Sequence, residues 1–136
     1  MPNHVTNKIR IQCDTMGLEE FKNQISGENG VIDFEKIIPM PGATIESKDV
    51  PMTGEEMGRN PFNWYDWSIA NWGTKWNAYD IRVQDEWDGG DNCEMEIHFD
   101  TAWSAPFPII NALRDIEGVN VWGHYVEEFA ESAGVF

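Results

Sequence analysis

The stretch Cys93-Glu94-Met95-Glu96-Ile97-His98-Phe99-Asp100 constrains the fold more than any other part of this chain. Cys93, Met95, Ile97 and Phe99 alternate with Glu94, Glu96, His98 and Asp100. Successive side chains on a strand point to opposite faces, so a period of two marks a half-buried strand. The pattern recurs where Ile9, Ile11 and Cys13 alternate with Lys8, Arg10 and Gln12. It recurs again in Tyr79, Ile81 and Val83 against Asp80, Arg82 and Gln84, and in Val119, Val121 and Tyr125 against Asn120, Trp122 and His124. Strands with one apolar face need a layer to cover it.

The intervening segments supply that layer. Asp14-Thr15 offers an N-cap for a helix with Leu18, Phe21 and Ile25 on one face and Gly27 at its end. Ser104 offers a second cap, with Pro106 in the first turn, Ile109, Leu113 and Ile116 at helical spacing, and Gly118 as terminator. Between them, Trp87 to Asn92 is rich in residues that tolerate positive φ and predicts a hairpin turn. The order β-α-β-β-α-β predicts one α+β domain over residues 1–136, a ferredoxin-like antiparallel sheet with two helices on one face.

A Trp-rich helical insertion, about residues 28–77, precedes the second strand. Phe34 to Ile38 reads as a short edge element or extended loop, because Pro39-Met40-Pro41 forbids a continued helix. Residues 42–60 lack any apolar period and read as a long surface loop. Asn60-Pro61 then predicts the start of a helix running to about Trp72 and ending at Gly73. The acidic tail from Glu127 reads as frayed or short-helical.

Trp64, Trp67, Trp72 and Trp76, four of the seven tryptophans, crowd into that insertion among Asp, Asn and Lys. Each indole can bury about 150–250 Å², enough to anchor a core or line a cleft. A polar cleft beside this motif would use Asp66, Trp67, Trp72, Lys75, Trp76, Asp80 and Asp100, if the end of the Phe99-Asp100-Thr101-Ala102-Trp103 strand packs against it. The same Asp and Asn side chains can instead cap the inserted helix and accept hydrogen bonds from buried indoles.

Four segments resemble a known family: Met-Pro-Asn-His-Val-Thr-Asn at the start, Phe34 to Pro41, Asn71-Trp72-Gly73-Thr74-Lys75-Trp76-Asn77-Ala78, and Phe99-Asp100-Thr101-Ala102-Trp103-Ser104. On these the chain is similar to the YubB-like ferredoxin-like domain family of bacterial plasmids and phages, over residues 1 to about 126. The resemblance implies a ferredoxin-like fold and carriage on a mobile element, with no activity or catalytic residue to transfer. That setting favours accessory proteins, including antagonists of host defence.

Charge narrows the function further. Twenty-four acidic residues against nine basic ones leave a formal net charge of −15. Phosphate binding needs surface Lys and Arg, so direct nucleic-acid binding is disfavoured. The outward positions of the central strands also lack the aromatics of RNA-binding sheets; Lys8 and Arg10 there are expected to pair across strands with Glu94 or Glu96. An acidic surface can, however, attract a protein that carries a basic, nucleic-acid-binding groove. Asp85, Glu86, Asp88, Asp91, Glu94 and Glu96 form an acidic ribbon around the hairpin, extended by Asp100. Carboxylates two apart on a strand lie about 6.6–6.8 Å apart, a loose imitation of phosphate spacing.

No nucleophile-plus-base signature, P-loop or dinucleotide fingerprint occurs, so no catalytic residue is assigned. His4, His98 and His124 are too dispersed for a local metal motif, and neither metal nor cofactor is expected. Cys13 and Cys93 fall on inward strand positions and read as buried free thiols. No apolar run of about 18 residues suits a membrane span, and no secretory leader is visible, which sets the expectation at the host cytoplasm. The expectation is therefore an accessory protein of a phage or mobile element, monomeric or homodimeric, that binds a host protein. Its sharper form is an anti-CRISPR or anti-restriction DNA mimic; the alternative is a small-ligand binder or enzyme using the tryptophan cleft.

Overall fold

In a computed structural model, residues 3–40, 64–128 and 133–136 are described. The expected loop at 42–60, the Asn60-Pro61 cap and residues 129–132 of the tail lie outside them. The described elements are β1 (His4–Cys13), α1 (Leu18–Ile25), α2 (Phe34–Ile37), α3 (Trp64–Asn71), β2 (Tyr79–Asp88), β3 (Cys93–Ala102), α4 (Phe107–Arg114), β4 (Val119–Glu127) and β5 (Ala133–Val135). The fold is mixed α/β, with one open antiparallel sheet of five strands in the order β2-β3-β1-β4-β5.

Alternation in the sequence carries over to burial. Ile9, Ile11 and Cys13 of β1 are buried with Cys93, Met95, Ile97 and Phe99 of β3. They share one apolar cluster with Phe21 and Ile25 of α1, Phe34 of α2 and Ile109, Ile110 and Leu113 of α4. Lys8, Arg10, Glu94, Glu96 and His98 point away from that cluster. β2 departs from its expected alternation: it is an edge strand, exposed from Arg82 to Asp88, with register shifts between Tyr79 and Arg82 and between Val83 and Asp85. The shifts break the period of two, so Val83 remains 38% exposed.

Several local expectations are corrected. Phe34–Ile37 is a helical turn, because Asp33 accepts the Glu35 N–H at 3.0 Å and Asn77 Oδ1 accepts the Phe34 N–H at 2.9 Å. Pro39 limits its length without preventing it. The α1 N-cap is Gly17, not Asp14 or Thr15, and its C-cap is Ser26 rather than Gly27. A Cβ on Gly17 would meet the Gly90 carbonyl oxygen at 2.4 Å, so the hairpin turn packs onto backbone there. Ser104 does not cap α4; its hydroxyl donates to the Gly73 carbonyl, and Pro106 occupies the cap position. The helix ends at Arg114, before Gly118. The turn between β2 and β3 is shorter than expected, with Trp87 and Asp88 still in β2. The tail contributes β5, whose following residue Phe136 stacks against Phe107 and Tyr125.

Gly73 does end α3. At φ +80°, it is followed by no helix, and the N–H groups of Trp72 and Gly73 both reach the Ser68 carbonyl at 2.8 and 3.1 Å. Among the described residues no helix is long and apolar enough to cross a membrane.

Candidate functional site

The tryptophan motif divides between core and surface. Trp72 is 2% exposed and packs edge-on against Phe34 and Trp67 at 5.8 and 5.3 Å between ring centroids. Its indole N–H donates to the Ile38 carbonyl at 2.9 Å, so the acceptor is backbone rather than an Asp or Asn. Asn77 is structural too: besides receiving the Phe34 N–H, it donates to Asp33 Oδ1 at 2.8 Å. Trp76 is exposed, as is Trp103 at the end of the strand segment.

Those two segments do pack together. Lys75 donates its N–H to the Ala102 carbonyl at 3.5 Å, and its ammonium lies 4.6 Å from the centroids of both Trp76 and Trp103. Such cation–π pairs fix a lysine that would otherwise wave in solvent. Trp103 holds φ +74°, a costly conformation for a bulky residue, and donates its N–H to the Asn3 carbonyl at 2.8 Å. A cavity of about 360 Å³ is lined by Trp72, Lys75, Trp76 and Tyr79, with Asn29, Glu35, Met40, Asn77 and Ala78; Trp103 is outside the lining.

Of the seven cleft residues expected, Trp72, Lys75 and Trp76 line this cavity. Trp67 lies behind Trp72, and Asp66 lies on α3 outside the lining. Asp80 and Asp100 gather instead around Arg82, each 3.9 Å from its guanidinium. A pair that sequence reasoning missed is His4 and Tyr79, hydrogen-bonded through Nδ1 and Oη, with Oη also 3.4 Å from the Thr101 carbonyl. Burial, then the nearby charges of Asp100, Glu128 and Asp80, pushes the Tyr79 phenol up to about 12. Only the spatial neighbourhood of two strand ends reveals this pair, since its members are 75 positions apart.

The acidic ribbon lies on the β2–β3 hairpin, at the free edge of the sheet. Arg10, projecting from β1, reaches Asp85 and Glu94 at 3.2 Å and Glu96 at 3.4 Å. The hydrogen bonds it donates to Glu94 and then Asp85 hold this guanidinium still more firmly protonated. Lys22 of α1 pairs with Glu86. Asp88 accepts the Gly90 N–H at 2.9 Å and the Leu18 N–H at 3.3 Å, which lowers its carboxyl below the usual range. Asp91 is exposed in the turn. Six carboxylates against two cations leave the arm acidic, with Trp87 52% exposed in its midst. Trp87, expected in the hairpin turn, belongs to β2.

On the outward sheet face, Lys8 stands between His98 and His124 in register, and His98 Nε2 lies 3.0 Å from Glu96. The expected cross-strand pairing to Glu94 and Glu96 is made by Arg10 and not by Lys8. Among the described residues no group of three or more His, Cys, Asp and Glu side chains is placed to hold a metal ion. Compared with protein-family models, curated proteins and solved structures, the chain finds no match.

Proposed function

We propose that this protein acts by binding another protein, and that the β2–β3 hairpin is the arm it presents. One observation carries the reading: Trp87 lies half-exposed on an edge strand, between Asp85, Glu86 and Asp88 in sequence and opposite Glu94 in the ladder. Interfaces draw most of their energy from a few aromatic or Arg anchors, while surrounding charge steers the encounter. Arg10 and Lys22 fix the arm's carboxylates in advance, which lowers the ordering cost of binding. The partner chemistry that fits is a basic, nucleic-acid-binding surface.

The anti-defence role is the sharper form of this proposal, supported by net charge and by the resemblance to a mobile-element family. DNA imitation would reside in bulk charge more than in regular spacing, because Asp85, Glu94 and Glu96 gather around one guanidinium. We also read the fold as ferredoxin-like. The order β4-β1-β3-β2 supports that, with β5 added beyond β4.

The test is capture of host proteins on tagged protein at low salt, followed by elution with salt or with duplex DNA. A partner released by both, and not captured by a Trp87→Ala, Glu86→Lys, Asp91→Lys variant of unchanged fold, supports the reading. Equal capture by that variant sinks it.

A second reading, small-ligand binding beside Trp76, is favoured by the strained Trp103 and the 360 Å³ cavity. Here ligand binding would survive high salt and fail in Trp76→Ala.

A further inference from the structure

Cys13 is the last residue of β1 and Cys93 the first of β3, and they are direct partners in the antiparallel ladder. Both side chains are buried on the same inward face, at 0% and 2% exposure, and both are free thiols. Directly opposed residues in such a ladder have Cα atoms about 4.5–5.5 Å apart. A disulfide spans Cα separations of about 4.4–6.8 Å. The register therefore places the two Cα atoms within the range that a disulfide spans.

We propose that Cys13 and Cys93 are an oxidisable dithiol, closing to an internal disulfide when the protein meets a low-molecular-weight disulfide such as oxidised glutathione. The chain then has a reduced form and a covalently latched form. This inference stands apart from the acidic arm and from any partner.

The chemistry balances. One cysteine thiolate attacks a sulfur of oxidised glutathione, forming a mixed disulfide and expelling one reduced glutathione. The second thiolate attacks the protein sulfur of that mixed disulfide and expels the other. Two protons and two electrons leave the protein, and the reagent takes them up as two thiols. Access comes from the position of the pair: it occupies the terminal rung of the β1–β3 ladder, where opening costs least. The reaction is slow at neutral pH, since burial and the adjacent Cys13 push the Cys93 thiol up to about 11. Seventy-nine residues separate the two cysteines, so closure removes a large share of the unfolded chain's freedom.

The experiment treats the native full-length chain with excess oxidised glutathione. The sample is then unfolded in a thiol-alkylating maleimide and weighed by mass spectrometry. The expected product is lighter than the reduced chain by two hydrogens and takes no maleimide. Trypsin then yields Ile11–Lys22 joined to Val83–Arg114, and dithiothreitol separates them. The bridged protein melts higher than the reduced one by at least about 5 °C. In Cys13→Ser or Cys93→Ser, the remaining cysteine keeps a glutathione that the wild-type chain expels. Two alkylated thiols after prolonged treatment, a persistent glutathione adduct on the wild-type chain, or only disulfide-linked dimers would each overturn the proposal. So would a bridge that lowers the melting point, because it would show that the native register does not accommodate it.

Discussion

Asp88 accepts the backbone N–H of Leu18 at 3.3 Å, so a carboxylate in the β2–β3 hairpin caps a helix that begins 70 positions earlier. The first turn of α1 has no side-chain cap of its own, and Gly17 lies there against the Gly90 carbonyl. Hairpin and helix are thereby one unit. An acidic residue that looks like surface charge in the sequence is a structural acceptor.

Asp88→Ala should lower the thermal midpoint by several degrees, because it orphans the Leu18 and Gly90 N–H groups. The pH sign follows from the lowered carboxyl. Its contribution is fully present above the ordinary value of 3.8 and is lost as pH falls through the lower folded-state value. Melting curves from neutral pH into the acid range should therefore converge for wild type and variant at the acid end. A gap that persists undiminished there would show that the charge is not involved.

Arg10→Met should be destabilising at neutral pH and low salt, since it leaves Asp85, Glu94 and Glu96 facing one another. Added salt or mild acid should restore most of the loss by screening or protonating those carboxylates. A deficit independent of both would trace to lost packing of the Arg10 stem.

The two classes of tryptophan should separate cleanly. Trp72→Ala should cost about 3–5 kcal/mol, as a fully buried aromatic whose N–H also serves Ile38. Trp76→Ala and Trp87→Ala should each stay within about 1 kcal/mol of wild type by denaturant unfolding. Comparable losses at all three would overturn the division into core and surface.

Tyr79 should titrate near pH 12, above the ordinary value of 10. The folded state holds this proton more tightly than the unfolded chain. Its contribution is thus fully present below the ordinary value of 10 and is lost as pH rises toward 12. Tyrosinate absorbance should show this late step in wild type and lack it in Tyr79→Phe.

What could be read in advance was whatever one face of one element decides. β1, β3 and β4 declared themselves by alternation, and Gly73 marked a helix end through its backbone freedom. Phe34–Ile37 escaped because its stabilising acceptor, Asn77, is 43 positions away and outweighs the local effect of Pro39. Arg10 escaped in part: pairing with Glu94 or Glu96 was expected, but Asp85 joins them from β2, where a register shift sets it opposite Glu96. The tryptophan cleft was half visible. The cleft was expected only if the two motif segments pack together, and the placing of Lys75 between Trp76 and Trp103 was not foreseen; Asp80 and Asp100 gather instead at Arg82.

β5 has only three residues, yet it pairs with His124, Tyr125 and Val126 and so covers a third of the outer side of β4. Among the described residues, the long unpaired row of backbone donors and acceptors is then on β2, at the opposite margin. An open margin invites a second sheet to add on, and fibres grow that way. Here that margin is bulged and studded with Asp85, Glu86 and Asp88, so identical copies repel one another along it. A lysine- or arginine-bearing strand meets no such barrier. On the reading proposed above, the charge that disfavours a second copy along this strand favours a chain of opposite charge.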